Sequence, residues 1–158
     1  MRSWLAVLLL ALAPTLHAAV FRGTVTHVTD GDTLWVRPAS GAALVEIRLL
    51  DIDAPESCQA WGAEAKAALR ERVLHRAVRV RTRGVDKYHR RLARIELRGE
   101  DMGAWLVRDG HAWSSRFHGK AGRYAALEEQ ARRERRGLWA QSGAVEPRSF
   151  RQRHGRCP

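Results

Sequence analysis

The sequence is short of the features that mark a metal-stapled or membrane-embedded chain. It has two cysteines among 158 residues, Cys58 and Cys157. They lie far apart and match no zinc spacing, and the seven histidines show no metal-binding spacing either. An oxidising compartment would permit a disulfide closing a long loop, but nothing in the sequence requires one. No internal repeat or low-complexity tract occurs, and no Pro/Gly/Ser linker interrupts 21–139. Acidic residues are outnumbered, 17 against 28 Lys and Arg. Long apolar runs are also missing. The one candidate follows Arg2, runs uncharged from Ser3 to Ala13 and ends at Pro14. Its roughly ten apolar residues are about half of what spans a bilayer.

That first segment reads as a secretory signal over residues 1–19, with Ala18 and Ala19 near the cleavage point. Export to the periplasm or the medium is the expectation. Removing it takes away one arginine and no acid, so the mature chain keeps about ten excess positive charges. Such a surface favours polyanionic partners, although charge alone does not choose among them. The remaining helical segments lack the continuous apolar stripe of a membrane-active peptide.

The first half of the mature chain has strand patterning. Phe21 to Val28 is rich in Val and Thr, and Asp30-Gly31 marks a tight turn into Thr33 to Arg37. Val45, Ile47 and Leu49 alternate with Glu46 and Arg48, which sets Arg48 away from the core. Ala65, Leu69 and Val73 stack at four-residue spacing in a helix over 63–74. Val78, Val80 and Thr82 then alternate with Arg79, Arg81 and Arg83, so one face of that strand is a row of guanidinium groups. After a turn over 86–90, Leu92 to Leu97 forms a fifth strand. Helices follow over 102–109, stopping at Gly110, and over 123–136, with Tyr124, Leu127 and Ala131 inward. Five short strands with a helix between the third and fourth imply an α+β fold, a Greek-key barrel of the OB type with three helices. It occupies residues 20–140 and is large enough to stand alone as a monomer. Residues 141–158, rich in Arg, Pro and Gly, read as a basic, mobile tail.

Three carboxylates bracket the third strand: Asp32 in the first turn, then Asp53 and Glu56 after it. Acids in turns are commonly turn formers. A hairpin ending the second and third strands together would, however, bring Asp32 and Asp53 close, and two adjacent anions require a cation. Oxygen donors without His or Cys imply a hard ion, calcium or magnesium. Arg48 stands five residues before Asp53, and Arg90 closes the later turn.

Four ordered motifs resemble the staphylococcal nuclease family: Asp-Gly-Asp-Thr at 30–33, Arg-x-x-x-x-Asp-x-Pro-Glu at 48–56, Asp-Lys-Tyr-x-Arg at 86–90 and Gly-Leu-Trp at 137–139. The resemblance covers nearly the whole mature chain. It implies that Asp32 and Asp53 bind one Ca²⁺ directly, helped by the backbone carbonyl of Ala54, with Mg²⁺ left open. It further implies that Glu56 orients or deprotonates water, that Arg48 and Arg90 grip the phosphate, and that Asp30 supports the metal ligands. Lys87 and Tyr88 would lie beside a neighbouring phosphate. The implied activity is a sugar-nonspecific endonuclease acting on DNA and RNA and leaving 3′-phosphates. A barrel that binds nucleic acid without cutting it is the alternative.

The physical demand agrees with that set. Phosphodiester hydrolysis needs on the order of 20 kcal/mol of barrier reduction, more than one general base supplies. Two forked guanidiniums and a hard cation can meet the charge growing on the phosphoryl oxygens. The chain also departs from the family. Position 54 is Ala where well-known members have Thr, and position 89 is His where Gly is usual, in a turn that calls for positive φ. The 56–62 loop is short and contains Cys58 and Trp61. Tyrosines that hold base and sugar elsewhere should fall near Arg116 and His118. Arg116, Trp113 or Phe117 would provide a stacking surface there, with Trp113 and Trp105 read as core.

Overall fold

A computed structural model describes residues 19–116, 119–155 and 157. The expected signal segment and the Phe117–His118 pair therefore lie outside the described residues, Ala19 excepted. Five strands make the barrel: β1 (Val20–Val28), β2 (Thr33–Pro38), β3 (Val45–Leu49), β5 (Ala77–Val85) and β6 (Arg91–Leu97). Their order is β3-β2-β1-β5-β6, and a parallel β3–β6 pairing closes the sheet on itself. Closure removes the edges that an open sheet would expose. Three two-residue strands complete the β structure. Of these, β4 (Ile52–Asp53) pairs with β8 (Trp113–Ser114), and β7 (Glu100–Asp101) extends the end of β6.

The α+β barrel of the OB type is thus present, and its patterning explains its packing. Along β5, Val78, Val80 and Thr82 are buried while Arg79, Arg81 and Arg83 are exposed, as the alternation requires. Two of those arginines are not bare, since Arg81 Nε donates to Glu96 at 3.0 Å and Arg79 lies 3.9 Å from the same carboxylate. Helix α1 (Gly62–Val73) buries Ala65, Leu69 and Val73 completely against the barrel. Helix α2 (Met102–Arg108) is capped by Asp101, whose carboxylate accepts from the N–H groups of Gly103 and Ala104. Helix α3 (Ala125–Arg133) turns Ala131 inward, with Leu127 partly buried against the barrel core.

Two cores result. The main one fills the barrel and the space under α1 and α2, and includes Trp105. The second joins Trp113, Ala131, Leu138 and Trp139, with the Trp113 and Trp139 rings edge to face at 4.7 Å. The Gly-Leu-Trp segment (Gly137–Trp139, a single 3₁₀ turn) is therefore a packing element, and the guanidinium of Arg132 lies over the Trp139 ring.

The tail differs from its compositional reading as a mobile segment. A fourth helix, α4 (Pro147–His154), lies there, and Cys157 is disulfide-bonded to Cys58 with Cα atoms 5.6 Å apart. Pro147 at the first helical turn suits a position where the missing N–H costs nothing. Gln59 Nε2 also donates to the Val145 carbonyl at 2.6 Å. These long-range attachments order a segment whose composition alone resembles a linker. Among the described residues, no helix is long and apolar enough to cross a membrane.

Ile95 is fully buried in β6. Ile95→Ala should lower unfolding free energy by about 2–5 kcal/mol in chemical denaturation, through lost apolar burial and the residual cavity.

Candidate active site

Turn chemistry places the first acids. Asp30 Oδ1 accepts from the N–H of Asp32 at 2.9 Å, folding the turn back on itself. Gly31 makes the approach possible, because a Cβ there would stand 2.7 Å from the Ala54 Cβ and 2.9 Å from that of Ala65. The β1–β2 turn consequently nests against the segment after β3. Asp32 Oδ2 then accepts from the Ala54 N–H at 2.8 Å.

Arg48 draws the acids together. One guanidinium nitrogen pairs with Asp32 Oδ1, and the other donates to Asp53 Oδ1 at 2.9 Å. Asp32 is 4% exposed, so its charge is compensated inside the protein rather than by bulk water. Burial pulls the Arg48 guanidinium below its ordinary value; Asp53 and Asp30 oppose that fall, and Arg90 adds to it. Arginine starts so far above neutrality that the group remains a cation. Behind Asp53, the β4–β8 pairing sets it opposite Trp113, and the Trp113–Trp139 contact supports that pairing.

The 86–90 turn fixes the second arginine. Asp86 Oδ1 accepts from the N–H groups of Tyr88 and Arg90, while Oδ2 receives Arg90 Nε at 2.8 Å and Nη2 at 2.7 Å. His89 adopts φ 65°, the left-handed conformation expected at this departure from the family's glycine. The backbone accommodates it, and Arg90 reaches inward until Nη1 lies 3.4 Å from the Thr33 hydroxyl. The Tyr88 ring lies near both the Lys87 ammonium and the Arg90 guanidinium, and the residue is 42% exposed.

A cleft of about 540 Å³ gathers Asp30, Asp32, Arg48, Glu56, Arg90 and Tyr88. Arg116 does not line it. That residue borders a separate cleft beside Gly122 and α3. Lys87 flanks the Tyr88 ring, and Trp113 is buried in the second core rather than offered as a stacking plane. A larger cleft of about 780 Å³, between α1 and the β6–β7 turn, does not include these acids or arginines.

The cleft also contains a residue that sequence reasoning missed. Arg151, on α4, donates from Nη2 to Asp53 Oδ2 at 2.9 Å, and from Nη1 to Asp53 Oδ1 at 3.2 Å and Glu56 Oε1 at 2.6 Å. These bonds, with Asp53 the strongest, lift the Arg151 guanidinium above its ordinary value despite partial burial. No local signal announces Arg151, since it stands 98 residues beyond Asp53. The only hint was Cys157, six positions later in a chain with one other cysteine.

The donor chemistry fits a hard divalent cation. Asp32 and Asp53 converge on a shared positive group, Arg48, and offer only oxygen. Among the described residues no group of three or more His, Cys, Asp or Glu is placed to hold a metal ion. An ion held there would complete its shell with carbonyl, water or substrate oxygens.

Three arginines, Arg48, Arg90 and Arg151, facing one cleft with Asp32 and Glu56 on an OB-type barrel suit a class, that of the small nuclease barrels. The chain belongs to the staphylococcal nuclease family, whose model, described as "Staphylococcal nuclease homologue", matches residues 46–141. It is 39% identical over 144 residues to "Protein ParB" of Escherichia coli, covering 84% of this chain and 80% of that protein. It is 37% identical over 144 residues to "Micrococcal nuclease" of Shigella flexneri, covering 84% and 82%. An "Uncharacterized endonuclease" of Haemophilus influenzae is 33% identical over 127 residues, covering 80% and 71%.

The aim of Arg90 depends on Asp86. Burial would raise the Asp86 carboxyl, but donation from the Arg90 side chain, then from the N–H groups of Arg90 and Tyr88, outweighs it and holds the group below the ordinary value. Its folded value being lowered, the turn gains stability above the unfolded value and loses it as pH falls through the folded one. Asp86→Asn should slow nucleic-acid cleavage about ten- to a hundredfold by misdirecting Arg90, and should lower the melting midpoint at neutral pH but not in acid, where the carboxyl is protonated. Parallel cleavage and thermal-unfolding assays would check this.

Proposed function

We propose that the protein is a calcium-dependent endonuclease that hydrolyses phosphodiester bonds in both DNA and RNA and leaves 3′-phosphates. The observation that carries the reading is the sharing of Arg48 by Asp32 and Asp53, beside Arg90 and Glu56 in one cleft. Asp32 and Asp53 would hold the ion, with the Ala54 carbonyl as a further oxygen ligand. Bound there, the ion would polarise a phosphoryl oxygen and acidify water.

The protein's own groups account for the rest. Arg48, with its two Nη atoms turned to Asp32 and Asp53, and Arg90, with Nε and Nη2 turned to Asp86, would meet the phosphoryl oxygens through their remaining N–H groups, where charge grows in the transition state. Asp86 holds the Arg90 plane, so little reorganisation is needed as the reaction proceeds. Glu56 accepts the proton of the attacking water or orients it. Asp30 steadies the Asp32 backbone, Tyr88 lines the cleft, and Lys87, over the Tyr88 ring, would meet the next phosphate. None of these contacts reads a base, which agrees with cleavage irrespective of sequence and sugar.

Export of a mature, monomeric chain is part of the same proposal. The Cys58–Cys157 disulfide supports an oxidising compartment. A purely binding module is less well supported, because it has no use for carboxylates set against the phosphate path, where they repel the ligand.

Arg48→Ala would leave the enclosed Asp32 carboxylate without its cation, while Asp53 keeps Arg151, at a cost of about 3–5 kcal/mol in stability, and would confuse misfolding with lost chemistry. Arg48→Lys keeps the charge and removes the fork. It and Arg90→Ala should each lower the cleavage rate about a hundred- to a thousandfold. Wild-type protein should cut single- and double-stranded DNA and RNA with calcium and stop on chelation. Undiminished cleavage in excess chelator would refute the metal, and absence of cleavage with calcium would favour the binding module.

A further inference from the structure

We infer that Arg151 is a third arginine of the active site, a positioning residue that fixes Glu56 relative to Asp53, and that the disulfide-tethered C-terminal helix exists to deliver it. This inference rests on the reading of Glu56 as the group that handles the attacking water. The Arg151 Nη1 atom bridges Asp53 Oδ1 and Glu56 Oε1, while Nη2 holds Asp53 Oδ2. The Glu56 carboxylate is held through Oε1, and its side chain stays 24% exposed. The Asp53 carboxylate at the end of β4 and the Glu56 carboxylate three residues on would otherwise repel, leaving Glu56 many relative positions. A single planar fork between them selects one.

The attachments around Arg151 favour holding over release. Gln59 Oε1 accepts from the Glu56 N–H at 3.1 Å, and its Nε2 donates to Val145. One side chain therefore clamps both the Glu56 backbone and the approach to α4. Beyond α4, Cys157 is covalently joined to Cys58, two residues after Glu56. Gly62 closes the same loop tightly, since a Cβ there would stand 2.0 Å from the Glu56 carbonyl oxygen. Arg151 thus sits between two fastenings, both of which lead back to the loop containing Glu56. A removable plug would need a free end, and this segment has none on either side of the arginine.

The test compares wild type with Arg151→Ala, Arg151→Lys, Glu56→Gln and the paired Cys58→Ser, Cys157→Ser variant. Cleavage is followed as kcat and KM, and DNA affinity is measured by fluorescence anisotropy in chelator. Arg151→Ala should lose about ten- to a hundredfold in kcat, with KM and the chelator-phase Kd within about twofold of wild type. Arg151→Lys should recover only part of the loss, because one ammonium lacks the fork that spans both carboxylates. It also serves as the folded variant if the alanine protein does not fold. The cysteine pair should lower kcat in the same sense, and adding Arg151→Ala to it should cost less than on wild type. A kcat for both Arg151 variants equal to or above wild type would overturn the inference, as would a loss confined to KM and Kd, which would make Arg151 a phosphate grip. Glu56→Gln separates the two failures. If it cuts at full rate, the assignment of Glu56 is wrong; if it is inactive while the Arg151 variants are not, only the role of Arg151 fails.

Discussion

The architecture answers to one electrostatic requirement: Asp32 in the β1–β2 turn and Asp53 in β4 must be held close enough to share a cation. Arg48 meets it by standing between Thr33 of β2 and Leu92 of β6 in the sheet register. The parallel β3–β6 pairing that closes the barrel is the same pairing that brings the start of β6, and hence Arg90, beside Arg48. Barrel closure and assembly of the cleft are therefore one event. Side chains remote from the chemistry serve the same end. The missing side chain at Gly31 admits the first turn, and the indole pair behind β8 braces the strand opposite Asp53.

Where a residue's role is set by its neighbours in sequence, it was legible. Helix α1 lies within one residue of its expected ends because Ala65, Leu69 and Val73 repeat at the helical period. Strand β5 alternates as written from Ala77 to Arg83 because each second residue there is Val or Thr and each other one is Ala or Arg. The positive φ of His89 followed from the turn, and the carboxylate–arginine constellation from motif order. Family membership and the OB-type barrel agree with that reading.

What stayed hidden depends on distance along the chain. Composition describes 141–158 as a loose basic tail, because Pro, Gly and Arg disfavour an independent core. Order there comes from a disulfide and the Gln59 bridge, neither of which leaves a periodic trace. Arg151 is one of many arginines until the fold carries it to Asp53 and Glu56. Glu128 was missed for the same reason. It looks like an ordinary surface acid on α3, yet it is buried, accepts the Ser114 N–H at 2.8 Å and pairs with Arg132, thereby fixing β8 from behind.

The bond between Cys58 and Cys157 spans 99 residues, a stretch that includes α1, β5, β6 and the arginine-rich turns. A protease that severs any one peptide bond within that span releases no fragment, because the two pieces stay joined through sulfur. The molecule so nicked would migrate as one species until a reductant separated it. Most of the barrel's second half, with the cleft it completes, is thereby enclosed in a covalent ring.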